Sequence, residues 1–202
     1  MNIYIIMTTL VDFYKVKNIN RFEGYSQQCK GETEFLKNIV SNQSINNVME
    51  IGFNAGHSAE IFLSSNKNIN LVSFDLGTHT YVNLGKEFID KNYPDRHTLI
   101  IGDSVNTVPE YFRKEHRKFD LIFIDGGHSY DVAKADLLNC KNLAHDKTIV
   151  ILDDTMNAKN VNPWNKGPNR IWKESKELNI IKEMESIDFS SSHGLSWGYY
   201  IL

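Results

Sequence analysis

The stretch at residues 48–60, VMEIGFNAGHSAE, constrains the fold of this chain more than any other. An apolar run leads into Gly52 and Gly56, and a helical pattern follows them. Such a turn is typical of a parallel strand that delivers a nucleotide-like ligand to a helix N-terminus, because glycines permit the turn and a close backbone approach. Asn54 stands between the glycines and no third glycine follows, so NAD is the less favoured ligand. A strand-to-helix turn without any ligand has the same pattern.

Strand-like and helix-like segments alternate from this turn to about residue 152. Short apolar runs are separated by longer amphipathic stretches, which is typical of a parallel sheet covered by helices on both faces. The predicted strands are 47–51, 70–75, 98–101, 119–124 and 148–152. The predicted helices are 31–40, 56–65, 81–91, 105–115 and 129–142.

The C-terminal part of the chain breaks this alternation. Residues 153–168 are expected to form a long polar loop, and such a loop in a compact domain is typically functional or mobile, so it can close as a lid. A helix over 169–176 follows, and then strands over 180–187 and 196–202 that form a hairpin. The expected fold class is therefore α/β: a single-domain, Rossmann-like, doubly wound sheet of about seven strands, mostly parallel, with an antiparallel C-terminal edge.

Length and composition limit the domain organisation. With 202 residues, of which 41% are hydrophobic, the chain can bury one core. We divide it into an N-terminal arm or lid at 1–28 and one folded domain at 29–202. The arm either covers a site or contacts a second copy of the chain in a homo-oligomer.

Charge and cysteine content exclude several kinds of partner. A net charge of −3 with no long basic run argues against nucleic acid binding. Cys29 and Cys140 are too few and too far apart for a disulfide framework or a zinc site. Residues 3–10 are apolar but lack the flanks of a signal peptide and the length of a membrane span. A cytoplasmic protein that binds no membrane is expected.

Polar residues follow each predicted strand, where a doubly wound sheet binds its ligands. Asp75 lies about 20 residues after the glycine turn, a position that suits the two hydroxyls of a ribose, although a solvated loop aspartate has the same pattern. Asp103 and Ser104 can contact an adenine edge, and Ser104 also suits a helix N-cap.

Three carboxylates follow two strands that should be neighbours. Asp125, Asp153 and Asp154 would repel one another unless a cation neutralises them, and oxygen ligands suit magnesium, with manganese or calcium as alternatives. Each could instead cap a turn or face water. His128 lies three residues after Asp125 and can serve as a general base near neutral pH, or can cap the following helix.

These motifs resemble the class I S-adenosylmethionine-dependent methyltransferases. They are most similar to the metal-dependent O-methyltransferases of the catechol, caffeoyl-CoA and macrocin (sugar) types. The resemblance runs from about Lys30 to Asp154. It is carried by Lys30-Gly31, Glu50 to Gly52, Gly56 to Ser58, Phe74-Asp75, Gly102 to Ser104, Phe119 to Asp125, and Leu152 to Asp154.

The resemblance implies a methyl donor, a divalent cation and a role for each matched residue. The donor, S-adenosylmethionine, would be held by Gly31, Glu50, Gly52, Asn54, Gly56, Ser58, Asp75, Asp103, Ser104 and Asp125. Within that set, residues 50–58 would hold the methionine part, Asp75 the ribose, and Asp103 and Ser104 the adenine. Asp125, Asp153 and Asp154 would bind Mg2+ or another divalent cation. Asp125 and His128 would be catalytic, with His128 at the place where catechol-type enzymes carry a lysine.

The expected function is therefore methyl transfer to a hydroxyl of a small molecule or a sugar. Trp164, Trp172, Trp197, Tyr199 and Tyr200 offer aromatic surface for such an acceptor, or belong to the core. Three other functions have the same main features: an inactive S-adenosylmethionine-binding interaction module, a metal-independent N-methyltransferase and a nicotinamide oxidoreductase.

Overall fold

A seven-stranded sheet runs through the computed structural model, which describes residues 9–24, 27, 29–158 and 161–202. The strands are β1 (Asn47–Ile51), β2 (Asn70–Asp75), β3 (His97–Ile101), β4 (Phe119–Ile124), β5 (Ala144–Asp153), β6 (Ile181–Asp188) and β7 (Gly194–Tyr200). Their order is β3-β2-β1-β4-β5-β7-β6. The first five strands pair in parallel, whereas β7 pairs antiparallel with β5 and with β6. The predicted fold class is confirmed.

Helices cover both faces of the sheet. They are α1 (Leu10–Val16), α2 (Lys30–Val40), α3 (His57–Ser65), α4 (Thr80–Asn92), α5 (Ser104–Glu115), α6 (Tyr130–Lys141) and α7 (Lys166–Glu177). Successive residues of a strand point to opposite faces. Val48, for example, is buried with side chains of α1 to α4, whereas Met49 is buried with side chains of α5 to α7. Among the described helices, none is both long and apolar enough to cross a membrane.

The N-terminal part of the chain contributes helix α1, which the sequence pattern did not indicate. Tyr14 is buried, and its hydroxyl donates to the carbonyls of Ala55 (2.8 Å) and Tyr81 (3.0 Å). The predicted arm at 1–28 thus packs, over its described part, against the glycine turn. Residues 1–8, 25–26 and 28 lie outside the described residues, as do 159–160 of the predicted loop.

Helix α7 begins earlier than the sequence predicted. A short 3-10 helix (Pro163–Asn165) leads directly into it, so the predicted loop at 153–168 is shorter than expected. Gly167 and Pro168, at the end of the predicted loop, lie buried in the first turn of α7. Proline is tolerated there because the first backbone N–H groups of a helix have no partner within the helix.

The turn after β1 depends on a glycine at position 52. Gly52 has φ +96°, and a Cβ atom there would lie 1.8 Å from the Asp125 carbonyl oxygen. The Asp125 N–H in turn donates to the Ile51 carbonyl at 2.9 Å. The ends of β1 and β4 therefore approach each other so closely that no side chain fits between them.

We predict that Gly52→Ala lowers the free energy of unfolding by at least about 3 kcal/mol. The new Cβ would clash with the Asp125 carbonyl oxygen, and alanine would also be strained at a positive φ angle. Urea unfolding followed by circular dichroism measures the change. Gly24→Ala is the matched control, since Gly24 has φ +65° but open space around the new Cβ. It should cost only about 1 kcal/mol, and equal losses would contradict the role of the β1–β4 contact.

Candidate active site

A cleft of about 820 Å³ lies at the carboxyl ends of the parallel strands. Its size suits a ligand as large as a nucleoside derivative. Of the predicted site residues, those that line it are Gly52, Asn54, Asp75, Asp103, Ser104, Asp125, His128, Asp153 and Asp154. Gly31, Glu50, Gly56 and Ser58 are not among its described lining residues.

Glu50 lies beneath the cleft in a buried network of hydrogen bonds. Its side chain is fully buried, and its two carboxylate oxygens accept from the hydroxyls of Ser58 (2.7 Å) and Ser73 (2.6 Å). Burial raises the pKa of Glu50 to about 7, although both hydrogen bonds act in the opposite direction. The predicted residues Glu50 and Ser58 thus bind each other and join β1 to α3 and β2.

Asp75 is held by the backbone of the glycine turn. Its Oδ2 accepts from the Asn54 N–H and its Oδ1 from the Gly77 N–H, both at 2.7 Å. Leu76 next to it lines the cleft and exposes 62% of its surface. Each carboxylate oxygen retains acceptor capacity, so Asp75 and Leu76 present hydrogen-bond acceptors beside an apolar surface.

Ser104 does not cap α5. Asp103 is the N-cap residue, and its side chain accepts from the Val105 N–H at 3.0 Å. The alternative role of Ser104 as the cap is therefore wrong. Ser104 is the first residue of the helix and lines the cleft beside Asp103.

The side chain of Asn54 closes one side of the cleft by binding the N-terminal segment. Its amide donates to the carbonyls of Glu23 and Gly24, each at 2.8 Å. Glu23 also contacts His79, with 2.6 Å between Oε2 and Nε2, and its N–H donates to the Tyr81 hydroxyl. Glu23 and Gly24 line the cleft, although no periodic pattern in the sequence pointed to them.

Asp125, His128 and Asp154 come together at the other side of the cleft. One ligand atom of each residue lies within 4.8 Å of the other two. His128 Nε2 lies 2.8 Å from Asp154 Oδ2, and this hydrogen bond is the main reason why the pKa of His128 is raised. Ser129 is the N-cap of α6, so the alternative role of His128 as the cap is wrong.

Burial and nearby negative charges destabilise the ionised forms of Asp125 and Asp153. Burial and the nearby Asp154 raise the pKa of Asp125 to about 7. The pKa of Asp153 is also well above its usual range, because of burial and then the charge of Glu32. Asp153 lines the cleft but does not belong to the compact group of Asp125, His128 and Asp154.

This donor set fits a divalent cation. Converging carboxylates are unfavourable until a cation offsets their repulsion, and Mg2+, Mn2+ and Ca2+ all accept carboxylate oxygens. His128 Nε2 already faces Asp154, so the oxygens of Asp125 and Asp154 are the ligands of this group that suit Mg2+ best, whereas the third predicted ligand, Asp153, lines the cleft outside the group. We call Asp125, His128, Asp153 and Asp154 the acidic corner.

Two further buried residues near the acidic corner had no signal in the sequence. Glu32 lies on α2, exposes only 2% of its surface and lines the cleft near Asp153. Asn165 is fully buried and contacts Asp154. Of the five aromatic candidates, Trp164 lines the cleft, whereas Trp172 and Tyr200 belong to the core.

We predict that Glu50→Gln changes how stability depends on pH. The carboxyl group ionises near pH 4.5 when unfolded but keeps its proton to about pH 7 when folded, so wild-type stability falls between these values. The stability of Glu50→Gln relative to wild type should rise by roughly 3 kcal/mol from pH 4.5 to pH 8.

Urea unfolding at several pH values measures this difference. Glu177→Gln is the control, because the Glu177 side chain is 62% exposed. A difference between Glu50→Gln and wild type that stays constant with pH would show that burial does not raise the pKa of Glu50.

Comparisons with known proteins agree with this geometry. Residues 49–155 match the family model described as a methyltransferase domain. An O-methyltransferase from Bacillus cereus, solved in complex with SAH, is 16% identical, with 96% of this chain and 93% of that chain covered and a TM-score of 0.73. No curated protein sequence matches the chain.

Two further solved structures share the fold. A putative caffeoyl-CoA O-methyltransferase from Staphylococcus aureus is 17% identical over 95% of this chain and 90% of that chain, with a TM-score of 0.70. CalS11, a TDP-rhamnose 3'-O-methyltransferase of calicheamicin biosynthesis, is 19% identical over 85% of this chain and 81% of that chain, with a TM-score of 0.65. The resemblance predicted from the sequence is confirmed. Because the family model spans more than half of the 202 residues, the chain belongs to the methyltransferase domain family.

Proposed function

We propose that the chain transfers a methyl group from S-adenosylmethionine to a hydroxyl of a small molecule or a sugar, with the assistance of a divalent cation. The observation that carries this proposal is the acidic corner. Asp125, His128 and Asp154 converge within 4.8 Å in the cleft of a methyltransferase domain. The B. cereus neighbour, whose structure is described as an O-methyltransferase with SAH, supports the choice of donor.

The donor would lie across the ends of β1, β2 and β3. Asp75, fixed by two backbone N–H groups, would accept hydrogen bonds from the ribose hydroxyls. Leu76 offers an apolar surface that a flat base can cover, and Asp103 and Ser104 offer polar groups at its edge. Glu50 and Ser58 would support this surface from below through their mutual hydrogen bond.

The acidic corner would bind the cation and the acceptor hydroxyl. When bound, a divalent cation stabilises the negative charge that develops on the acceptor oxygen and fixes that oxygen in place. In neutral His128, the hydrogen bond to Asp154 would hold the ring proton on Nε2, because a carboxylate can only accept it. Nδ1 of His128 then remains to take the proton of the hydroxyl, while the oxygen bonds to the methyl carbon and the carbon–sulfur bond breaks.

The charge of the cleft favours a neutral or cationic acceptor. Its described lining residues include seven carboxyl groups and no lysine or arginine. Even with the charges of a sulfonium and a divalent cation, negative charge remains in excess, and a phosphorylated acceptor would be repelled. Trp164, 43% exposed in the cleft wall, offers a ring on which a sugar face can stack.

We predict that EDTA abolishes methyl transfer and that Mg2+ or Mn2+ restores it.

His128→Ala should lower kcat by about 10²–10⁴-fold, because the general base is lost. Asp154→Asn should also lower kcat, through a weaker cation site. Turnover measured as S-adenosylhomocysteine release tests these effects, and Asp146→Asn, at a position 84% exposed, is the control.

The outcomes separate the alternative functions. Transfer that is insensitive to EDTA would favour the metal-independent N-methyltransferase. Donor binding without turnover by wild-type protein would favour the interaction module. S-adenosylhomocysteine, but not NAD, should raise the melting temperature, because a ligand that binds only the native state stabilises it. A melting temperature that is raised by NAD but not by S-adenosylhomocysteine would favour an oxidoreductase.

We also predict that neutral polyols and amino sugars are methylated in preference to their phosphorylated forms. The measured quantity is kcat/KM for matched pairs that differ by one phosphate, at low and moderate salt. The ratio should exceed about tenfold and fall as salt screens the carboxyl groups. Preference for the phosphorylated member would contradict the charge argument and leave methyl transfer itself intact.

A further inference from the structure

Asp154 adopts a backbone conformation that needs support from elsewhere. Its φ is +58°, in the left-handed region, which costs a residue with a side chain about 1–3 kcal/mol. The conformation matters because it directs the carboxylate towards His128, with 2.8 Å between Oδ2 and Nε2. Aspartate tolerates this region better than most residues, so its contacts with neighbouring groups determine how firmly it is held there.

Asn165 supplies that support from the 3-10 helix before α7. It is fully buried, and its Nδ2 donates to the Asp154 carbonyl oxygen at 2.9 Å and to Asp154 Oδ1 at 3.4 Å. Both partners are oxygen atoms that can only accept, so the NH2 group of the amide must face them. The assignment of Nδ2 and Oδ1 in Asn165 follows from this hydrogen bonding. The backbone N–H of Asn165 donates to the Asn162 carbonyl, which anchors the helix turn.

The same turn also packs on the backbone that carries His128. A Cβ atom at Gly167 would lie 2.2 Å from the His128 carbonyl oxygen and 2.7 Å from the Tyr130 nitrogen. Residues 165–167 therefore contact both members of the hydrogen-bonded pair. The Asp154 carboxylate is held at Oδ1 by Asn165 and at Oδ2 by His128.

We propose that Asn165 is a positioning residue for the acidic corner. By binding both the backbone and the carboxylate of Asp154, it fixes the left-handed conformation and the spacing between Asp154 and His128. The catalytic consequence of this contact rests on the proposed function, whereas the positioning itself does not. Residues 163–168 form the 3-10 helix and the first turn of α7, and Trp164 among them lines the cleft.

The test compares Asn165→Ala with a matched variant of the same segment. Asn169→Ala removes another side-chain hydrogen bond of α7, in which Oδ1 accepts from the Met156 N–H at 2.7 Å, without touching Asp154. Asn165→Leu has the same number and branching of side-chain heavy atoms as asparagine, although it is larger, and it removes the amide without leaving a cavity in case the alanine variant does not fold. Thermal unfolding compares the stability of all variants.

Two measurements decide the outcome. Crystal structures without metal should show Asp154 out of the left-handed region and more than 3.5 Å from His128 in the Asn165 variants only. Titration with Mn2+ alone, followed by electron paramagnetic resonance, should show affinity about 10–100-fold lower for these variants. Asn169→Ala should bind Mn2+ like wild type.

An unchanged Asp154 in the crystal structure of Asn165→Ala or Asn165→Leu would overturn the proposal. Equal loss of Mn2+ affinity in Asn165→Ala and Asn169→Ala would overturn it as well, since a general loss of packing would then explain both. If wild type binds no Mn2+, the metal-assisted function is wrong, and the crystal structures still decide the role of Asn165.

Discussion

The close approach of β1 and β4 at Gly52 is the constraint on which the rest of the site depends. Parallel strands end at the same edge of the sheet, but here the backbones also meet, because a Cβ at Gly52 would coincide with the Asp125 carbonyl. One strand leads into the turn that fixes Asp75, and the other leads into the acidic corner. The side of the cleft that carries Asp75 and the side that carries the acidic corner are thereby held close together by the backbone.

Buried carboxyl groups are the energetic consequence of this arrangement. Glu50, Asp125 and Asp153 all have raised pKa values, with burial as the largest cause. Glu50 is satisfied by two serine hydroxyls and belongs to the scaffold. Asp125 and Asp153 lie where a ligand can reach them, and His128 offsets only part of the repulsion that Asp125 experiences. Buried carboxyl groups thus occur both in the scaffold beneath the cleft and in its lining.

The sequence alone predicted the structural features that depend on local patterns of residues. Alternating apolar and amphipathic segments predicted the sheet, and glycine spacing predicted the turn at residue 52. The acids at strand ends followed from topology, because parallel strands bring their carboxyl ends together. Glu32 and Asn165 could not be found this way. Each is a polar residue on a helix or turn, where burial depends on which neighbour covers it, and only the packed structure supplies that information.

The two walls of the cleft are attached in different ways, and this difference bears on how ligands enter. Glu23 and Gly24 are exposed, and the Asn54 amide donates to both of their carbonyls. Glu23 is also joined to the domain by a partly exposed contact with His79 and by its N–H, which donates to the Tyr81 hydroxyl. Surface contacts of this kind contribute little and are easily exchanged for water. Residues 165–167 are instead packed between Asp154 and His128, where each lost contact leaves a buried polar group without a partner. Loss of these contacts is therefore expected to cost less free energy at the N-terminal wall than at residues 165–167.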